Sequence, residues 1–95
     1  MIESIKHKGL RNFAENGDTS GIQHNFIPKV RAILTLLQSA KSKLDFENVK
    51  SLNFHELKGD MRGTYSLKVN KNYRITFKLN ESNMGASDID LEDYH

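Results

Sequence analysis

The spacing of apolar positions changes period near the middle of the chain. Up to residue 51 they recur at helical intervals, and beyond it at every second position. Ile2 and Ile5, with polar residues between them, suggest a short first strand over Ile2–Lys6, although a spacing of three also fits a helix. Leu10, Phe13 and Ala14 follow at i, i+3, i+4, which predicts an amphipathic helix over residues 8–16 closed by Gly17 at the C′ position. Asp18-Thr19-Ser20-Gly21 reads as a connecting loop. Ile27, Val30, Ile33, Leu34 and Leu37 then give the strongest helical pattern, over residues 26–41, with Pro28 tolerated because its missing N–H falls in the first turn. Leu44 and Phe46 through Val49 predict one further turn of helix.

From Leu52 the alternation is that of strands. It predicts strands over residues 52–57, 63–69 and 73–79, with turns at Gly59-Asp60 and Asn70-Lys71-Asn72. A polar turn over residues 80–87 and a last strand containing Ile89 and Leu91 complete the pattern. The outline is an α+β domain spanning residues 1–95: an N-terminal strand and two to three helices packed on a mainly antiparallel meander. Alternation also sorts side chains. Tyr73, Ile75, Phe77 and Leu79 take the face toward the helices with Tyr65, Leu67 and Val69, which leaves Arg74, Thr76, Lys78, Ser66 and Lys68 on an open, basic face.

Composition narrows the class. Ninety-five residues suffice for one small core, and 37% apolar with 27% charged residues is an ordinary globular balance. Cysteine is absent, so neither disulfides nor thiolate metal sites hold the chain together. The longest apolar run, Ala32-Ile33-Leu34, is interrupted by Thr35 and ends at Leu37, far short of a membrane span of about 20 residues. The start of the chain lacks the basic and apolar regions of a signal peptide, and the expected location is the cytoplasm. The net charge of +2 hides an asymmetry: residues 1–80 hold all fourteen Lys and Arg against seven acids, a net of +7. The last fifteen residues hold five acids and no Lys or Arg, a net of −5. Such a split fits a basic surface for a polyanion beside a tail that is either solvated or functional.

The chemistry-bearing candidates are His55 on the first meander strand, Lys58 three residues on, Arg74 on a central strand, and Tyr94 and His95 at the end of the last. One or two imidazoles, two fixed cations and a phenol suit phosphodiester cleavage without a metal, in which a ribose 2′-OH attacks the adjacent phosphorus. That reaction needs a base, an acid for the leaving 5′-oxygen, and cations for the extra charge of the phosphorane. Each residue also has a plainer reading: a strand histidine exposed to solvent, a Lys58-Gly59-Asp60 hairpin turn, a solvated pair at Arg74 and Lys78, a frayed chain end. His7 and His24 read as surface residues. No His-x-x-His pair and no calcium-loop spacing is present, so neither metal nor cofactor is expected.

The run from His55 to Asn70 carries the pattern L-K-G-x-x-x-G-x-x-S-L-x-V. Tyr73-Arg74-Ile75-Thr76-Phe77 and the terminal Glu92-Asp93-Tyr94-His95 follow it in order, and Lys6-His7-Lys8-Gly9-Leu10 and Thr19-Ser20-Gly21 precede it. Together these segments resemble the HigB branch of the RelE/ParE toxin superfamily. The resemblance implies a microbial-ribonuclease-type fold and a bacterial type II toxin that cuts mRNA in the A site of the 30S subunit. Its implied partners are the ribosome, mRNA and a HigA-type helix-turn-helix antitoxin, with operator DNA reached only through the antitoxin complex. It implies functional roles for His55, Lys58, Arg74, Asp93, Tyr94 and His95, with Arg62, Lys68, Lys71 and Lys78 on the RNA backbone. Two positions depart from the family's pattern: Glu56 stands where a related member has proline, which lowers the local positive potential, and Tyr65 stands where tryptophan is common.

Two other readings compete: a ParE-like gyrase-directed toxin, which would not need His55, Tyr94 and His95, and a non-catalytic module that binds nucleic acid or a partner through the basic face. In the tail, alternation is expected to turn Asp88, Asp90 and Glu92 away from the RNA and Asp93 toward it.

Overall fold

A computed structural model describes residues 1–93, so Tyr94 and His95 lie outside the described residues. Three helices, α1 (Lys8–Asn16), α2 (Ile27–Ser39) and α3 (Lys43–Glu47), precede four strands, β1 (His55–Glu56), β2 (Thr64–Lys68), β3 (Tyr73–Asn80) and β4 (Gly85–Asp93). The strands pair in sequence order as an antiparallel meander. The architecture is α+β, as the periodicity predicts. Val30, Ile33 and Leu37 of α2 share one buried cluster with Leu67, Ile75 and Phe77 of the sheet, and Tyr65 is stacked on Phe54 with ring centroids 5.2 Å apart. No helix among the described residues is long and apolar enough to cross a membrane.

Helix α1 has the predicted boundaries. Gly17 closes it at φ 70°, a left-handed conformation in which its N–H reaches the carbonyls of Asn12 and Phe13. At the other end His7, read above as an idle surface residue, is the N-cap: its Nδ1 accepts the Leu10 N–H at 3.1 Å. Helix α2 is shorter than the predicted 26–41, because residues 24–26 form a 3₁₀ turn and Ala40 is already extended. The turn of helix expected after it is α3, started by a reciprocal cap between Ser42 and Asp45.

The loop before α2 explains two fragments that otherwise look like decoration. Asp18 accepts the Ser20 N–H at 3.0 Å, a bond that holds its carboxyl below the usual range. This turn delivers Gly21 onto Gly9 in the first turn of α1, so closely that a Cβ on either residue would collide with the other's backbone. Alanine favours a helix over glycine by about 1 kcal/mol, yet Gly9→Ala should lower stability by about 1–3 kcal/mol because the backbones must part. Urea unfolding checks this, and a variant as stable as the parent would refute the contact.

The strand expected over residues 52–57 is only His55–Glu56. Leu52 lies in a 3₁₀ turn and Asn53 is left-handed at φ 48°, so the apolar alternation there reflects a buried Leu52 and a half-buried Phe54 set before the backbone joins the ladder. The turn at Gly59-Asp60 is a 3₁₀ turn over residues 59–61. The polar turn expected over 80–87 is shorter, since Gly85 already pairs with Asn80. A bulge hid this part of β4. Thr76 faces Asp90 but Lys78 faces Ser87, so β4 carries one extra residue there, and Asp88 sits at φ 52°. Inward positions therefore run Ala86, Ile89, Leu91, a spacing of three followed by two.

The same spacing of three recurs at the N-terminus. Ile2 bridges Ala86 and Ile5 bridges Ile89, both parallel, and Ser4 Oγ accepts the Asp88 N–H at 2.8 Å. The expected first strand is thus a pair of isolated bridges that follow the bulge of their neighbour.

Candidate active site on the open face of the sheet

Strand register lays out the face away from the helices in three rows. Lys68, Arg74 and Glu92 form the first, His55, Ser66, Thr76 and Asp90 the second, and Thr64, Lys78 and Ser87 the third. Neighbouring strands are about 4.8 Å apart, which brings the side chains of His55, Lys68 and Arg74 over one stretch of sheet. The face is less open than alternation implies. Ser66 and Thr76 are only 2% and 3% exposed, and Thr76 donates its hydroxyl to Glu92 Oε2 at 3.1 Å.

His55 is exposed at the sheet edge, and its Nδ1 lies 2.8 Å from the Asn53 carbonyl oxygen. A carbonyl only accepts, so Nδ1 carries the proton and the neutral ring presents Nε2 as its basic nitrogen. The left-handed Asn53 is what turns that carbonyl back toward the ring. Glu56 follows on the other side of the strand, where its carboxylate accepts the Gly63 N–H at 2.8 Å. The acid that departs from the family's pattern therefore braces the loop between β1 and β2. Lys58 and Arg62 of that loop line a shallow cleft of about 450 Å³.

The acidic tail is arranged otherwise than expected. Glu92 lies directly across from Arg74 and ion-pairs with it at 3.2 Å, while Asp88 faces Lys78 at 3.6 Å. Asp88, Asp90 and Glu92 thus share the face of Arg74 and Lys78, a correction to the view that they turn away; the bulge and the register produce it. Asp93, expected to face the RNA, pairs with Tyr73 on the face opposite Arg74, a second correction set by the same register. The structure brings His55, Lys68 and Arg74 to one face, holds Lys58 and Arg62 on the adjoining loop, and sets Lys71 at the β2–β3 turn. What alternation missed is Glu92, whose position across from Arg74 follows only from a register that the bulge fixes.

This face offers a histidine with a defined basic nitrogen, several cations, and acids that pair with two of them. Such a set suits proton transfer beside a phosphodiester. Among the described residues no cluster of three or more side chains could hold a metal ion.

Comparison with known proteins places the chain. Residues 3–95 match the family described as the RelE-like toxin of type II toxin-antitoxin system HigB. The chain is 37% identical over 95 residues to the endoribonuclease HigB of Proteus vulgaris, covering all of both chains. Its fold is similar to solved structures at low identity. The YoeB–YefM complex from Staphylococcus aureus matches with a TM-score of 0.53 and 15% identity, over 100% of this chain and 95% of that one. The toxin–antitoxin complex RelBE2 from Mycobacterium tuberculosis matches with a TM-score of 0.51 and 13% identity, over 99% and 96%. With the family matched along nearly its whole length, the chain belongs to the HigB-like toxins, the RelE-like toxins of type II toxin–antitoxin systems.

Proposed function

We propose that the protein is a ribosome-dependent endoribonuclease that cuts mRNA in the ribosomal A site and is neutralised by a HigA-type antitoxin. The observation that carries this reading is His55, its Nδ1 tied to the Asn53 carbonyl, on the same sheet face as Arg74 and Lys68. The endoribonuclease named among its relatives supports it. In the reaction a base takes the proton of a ribose 2′-OH, O2′ attacks the adjacent phosphorus, and the bond to the 5′-oxygen breaks as that oxygen receives a proton. The products are a 2′,3′-cyclic phosphate and a 5′-hydroxyl. His55 and His95 divide the base and acid roles. Arg74 and Lys58 stabilise the phosphorane, Tyr94 stacks on or hydrogen-bonds to the mRNA, and Asp93 fixes the tautomer of a histidine or positions a nucleotide. Arg62, Lys68, Lys71 and Lys78 contact RNA backbone, an attraction that weakens with salt. These groups supply every proton and charge the reaction needs, so no metal is required. Action on the ribosome places the protein in the bacterial cytoplasm, and operator DNA is reached only through the antitoxin complex.

Primer extension on a reporter mRNA, with and without purified ribosomes and with a transition-metal chelator that leaves magnesium free, tests this. Cuts that need ribosomes and survive a chelator that spares the ribosomes are expected. Cleavage of free RNA alone would overturn the ribosome dependence, and gyrase-linked DNA breaks without RNA cleavage would point to a ParE-like activity.

A further inference from the structure

The open face poses a problem for a surface that takes RNA: three carboxylates stand on it. Two are occupied, Glu92 by Arg74 and Thr76, and Asp88 by Lys78. Asp90 differs. One of its oxygens accepts the Leu91 N–H at 3.0 Å, and the other has no hydrogen-bond partner among the described residues. Asp90 opens into a hollow of about 150 Å³ on the face of β2, β3 and β4, whose lining includes Met61, Thr64, Thr76 and Lys78 together with the other two carboxylates. Thr64 is 9% exposed, and its hydroxyl also makes no hydrogen bond among the described residues. No buried side-chain oxygen or nitrogen among the described residues lacks a partner, so this hydroxyl is open to the hollow and free to bond a group that enters it. Met61, 43% exposed, offers a soft apolar face over the same space.

We propose that this hollow is a nucleobase subsite in which Asp90 accepts an N–H from the exocyclic amino group of a base, Thr64 bonds the far edge of the ring and Met61 covers its face. The inference rests on the ribonuclease reading above and adds to it the base preference. A phosphate is repelled by Asp90, whereas an uncharged base with an amino group on its edge is attracted. The hollow is well below the roughly 300–1,000 Å³ of drug-sized pockets and suits a single ring. The RNA therefore lies with its phosphates toward Lys68, Arg74 and Lys58 and one base turned toward β4. Adenine, cytosine and guanine each present an amino group. Uracil presents one N–H between two carbonyl oxygens that a carboxylate repels.

Purified ribosomes programmed with mRNAs whose A-site codon is permuted one position at a time test this, with cleavage rates read by primer extension. At one codon position the parent protein should cut amino-bearing bases faster than uracil by about tenfold or more, the worth of a hydrogen bond to a charged acceptor. Asp90→Ala should bring that ratio to about two or less, with an unchanged melting temperature showing that it folds. Thr64→Val, which keeps the shape and loses the hydroxyl, should slow cutting of the preferred codons severalfold and serves alone if Asp90→Ala does not fold. An undiminished ratio in Asp90→Ala, or in Thr64→Val where that variant stands alone, overturns the subsite. So does a parent protein that cuts all bases alike, and both leave the ribonuclease reading intact. Failure of the parent protein to cut any codon overturns both.

Discussion

His55→Gln should lower ribosome-dependent mRNA cleavage by about 10²–10⁴-fold, the usual contribution of a positioned acid or base, while leaving the melting temperature within a degree or two. The fold is indifferent to this side chain because it is exposed on a two-residue edge strand, and among the described residues its ring bonds only the carbonyl two residues back. The reaction is sensitive to it because that bond fixes which nitrogen is basic. Glutamine can keep a donor near the Asn53 carbonyl but has no group that takes up a proton near neutral pH. His95→Gln should cost as much. The two variants are separable by single-turnover rates against pH: loss of the acid limb of the bell marks the base, and loss of the alkaline limb marks the acid. A His55→Gln protein that cuts within threefold of the parent would remove His55 from the chemistry.

The residues that could be read from sequence and those that could not differ in physical kind. Helix α1, β2 and β3 are legible because a single period runs through each: Leu10 and Phe13 toward the core, with Ala14 left exposed beside them, and Tyr73, Ile75 and Phe77 on one side of a strand. Two interruptions of period were not. The bulge in β4 turns an alternation of two into a spacing of three between Ala86 and Ile89, which reads as loop, and the matching Ile2 and Ile5 then read as helix or strand with equal right. Leu52 and Phe54 mimic a strand because Leu52 is buried in a 3₁₀ turn and Phe54 stacks on Phe46 and Tyr65 before the backbone joins the ladder. The N-terminal fragments that resemble the family prove to be packing devices. His7 caps α1, Leu10 is buried, and Gly9 lies against Gly21. His55, Lys58, Lys68 and Arg74 instead sit on exposed or half-exposed surface, where packing alone gives them no task. That contrast separates the residues of one motif set that the core needs from those that solvent or a ligand can reach, and no count of matching residues shows it.

Arg74→Gln should cost about 10²–10³ in the cleavage rate on programmed ribosomes, the range seen when one stabiliser of a developing negative charge is removed. The pairing with Glu92 sharpens this expectation. Arg74 reaches Glu92 Oε1 through Nη2 at 3.2 Å and Nε at 3.4 Å, and Thr76 holds the other oxygen. Removing the guanidinium therefore takes a positive charge from the site and also leaves a carboxylate without its cation on the face where the phosphorane is proposed to form. Removing both charges should be milder than removing one. Arg74→Gln combined with Glu92→Gln should recover about tenfold of the lost rate, a coupling of about 1.4 kcal/mol of the kind contacting residues show. Arg74→Lys should fall between the parent and glutamine, since an ammonium keeps the charge and loses the planar fork that engages the carboxylate through two nitrogens. Arg74→Gln within threefold of the parent would exclude this arginine from phosphate stabilisation. Exact additivity of the two substitutions would mean that Glu92 is a bystander to the charge at the reacting phosphorus.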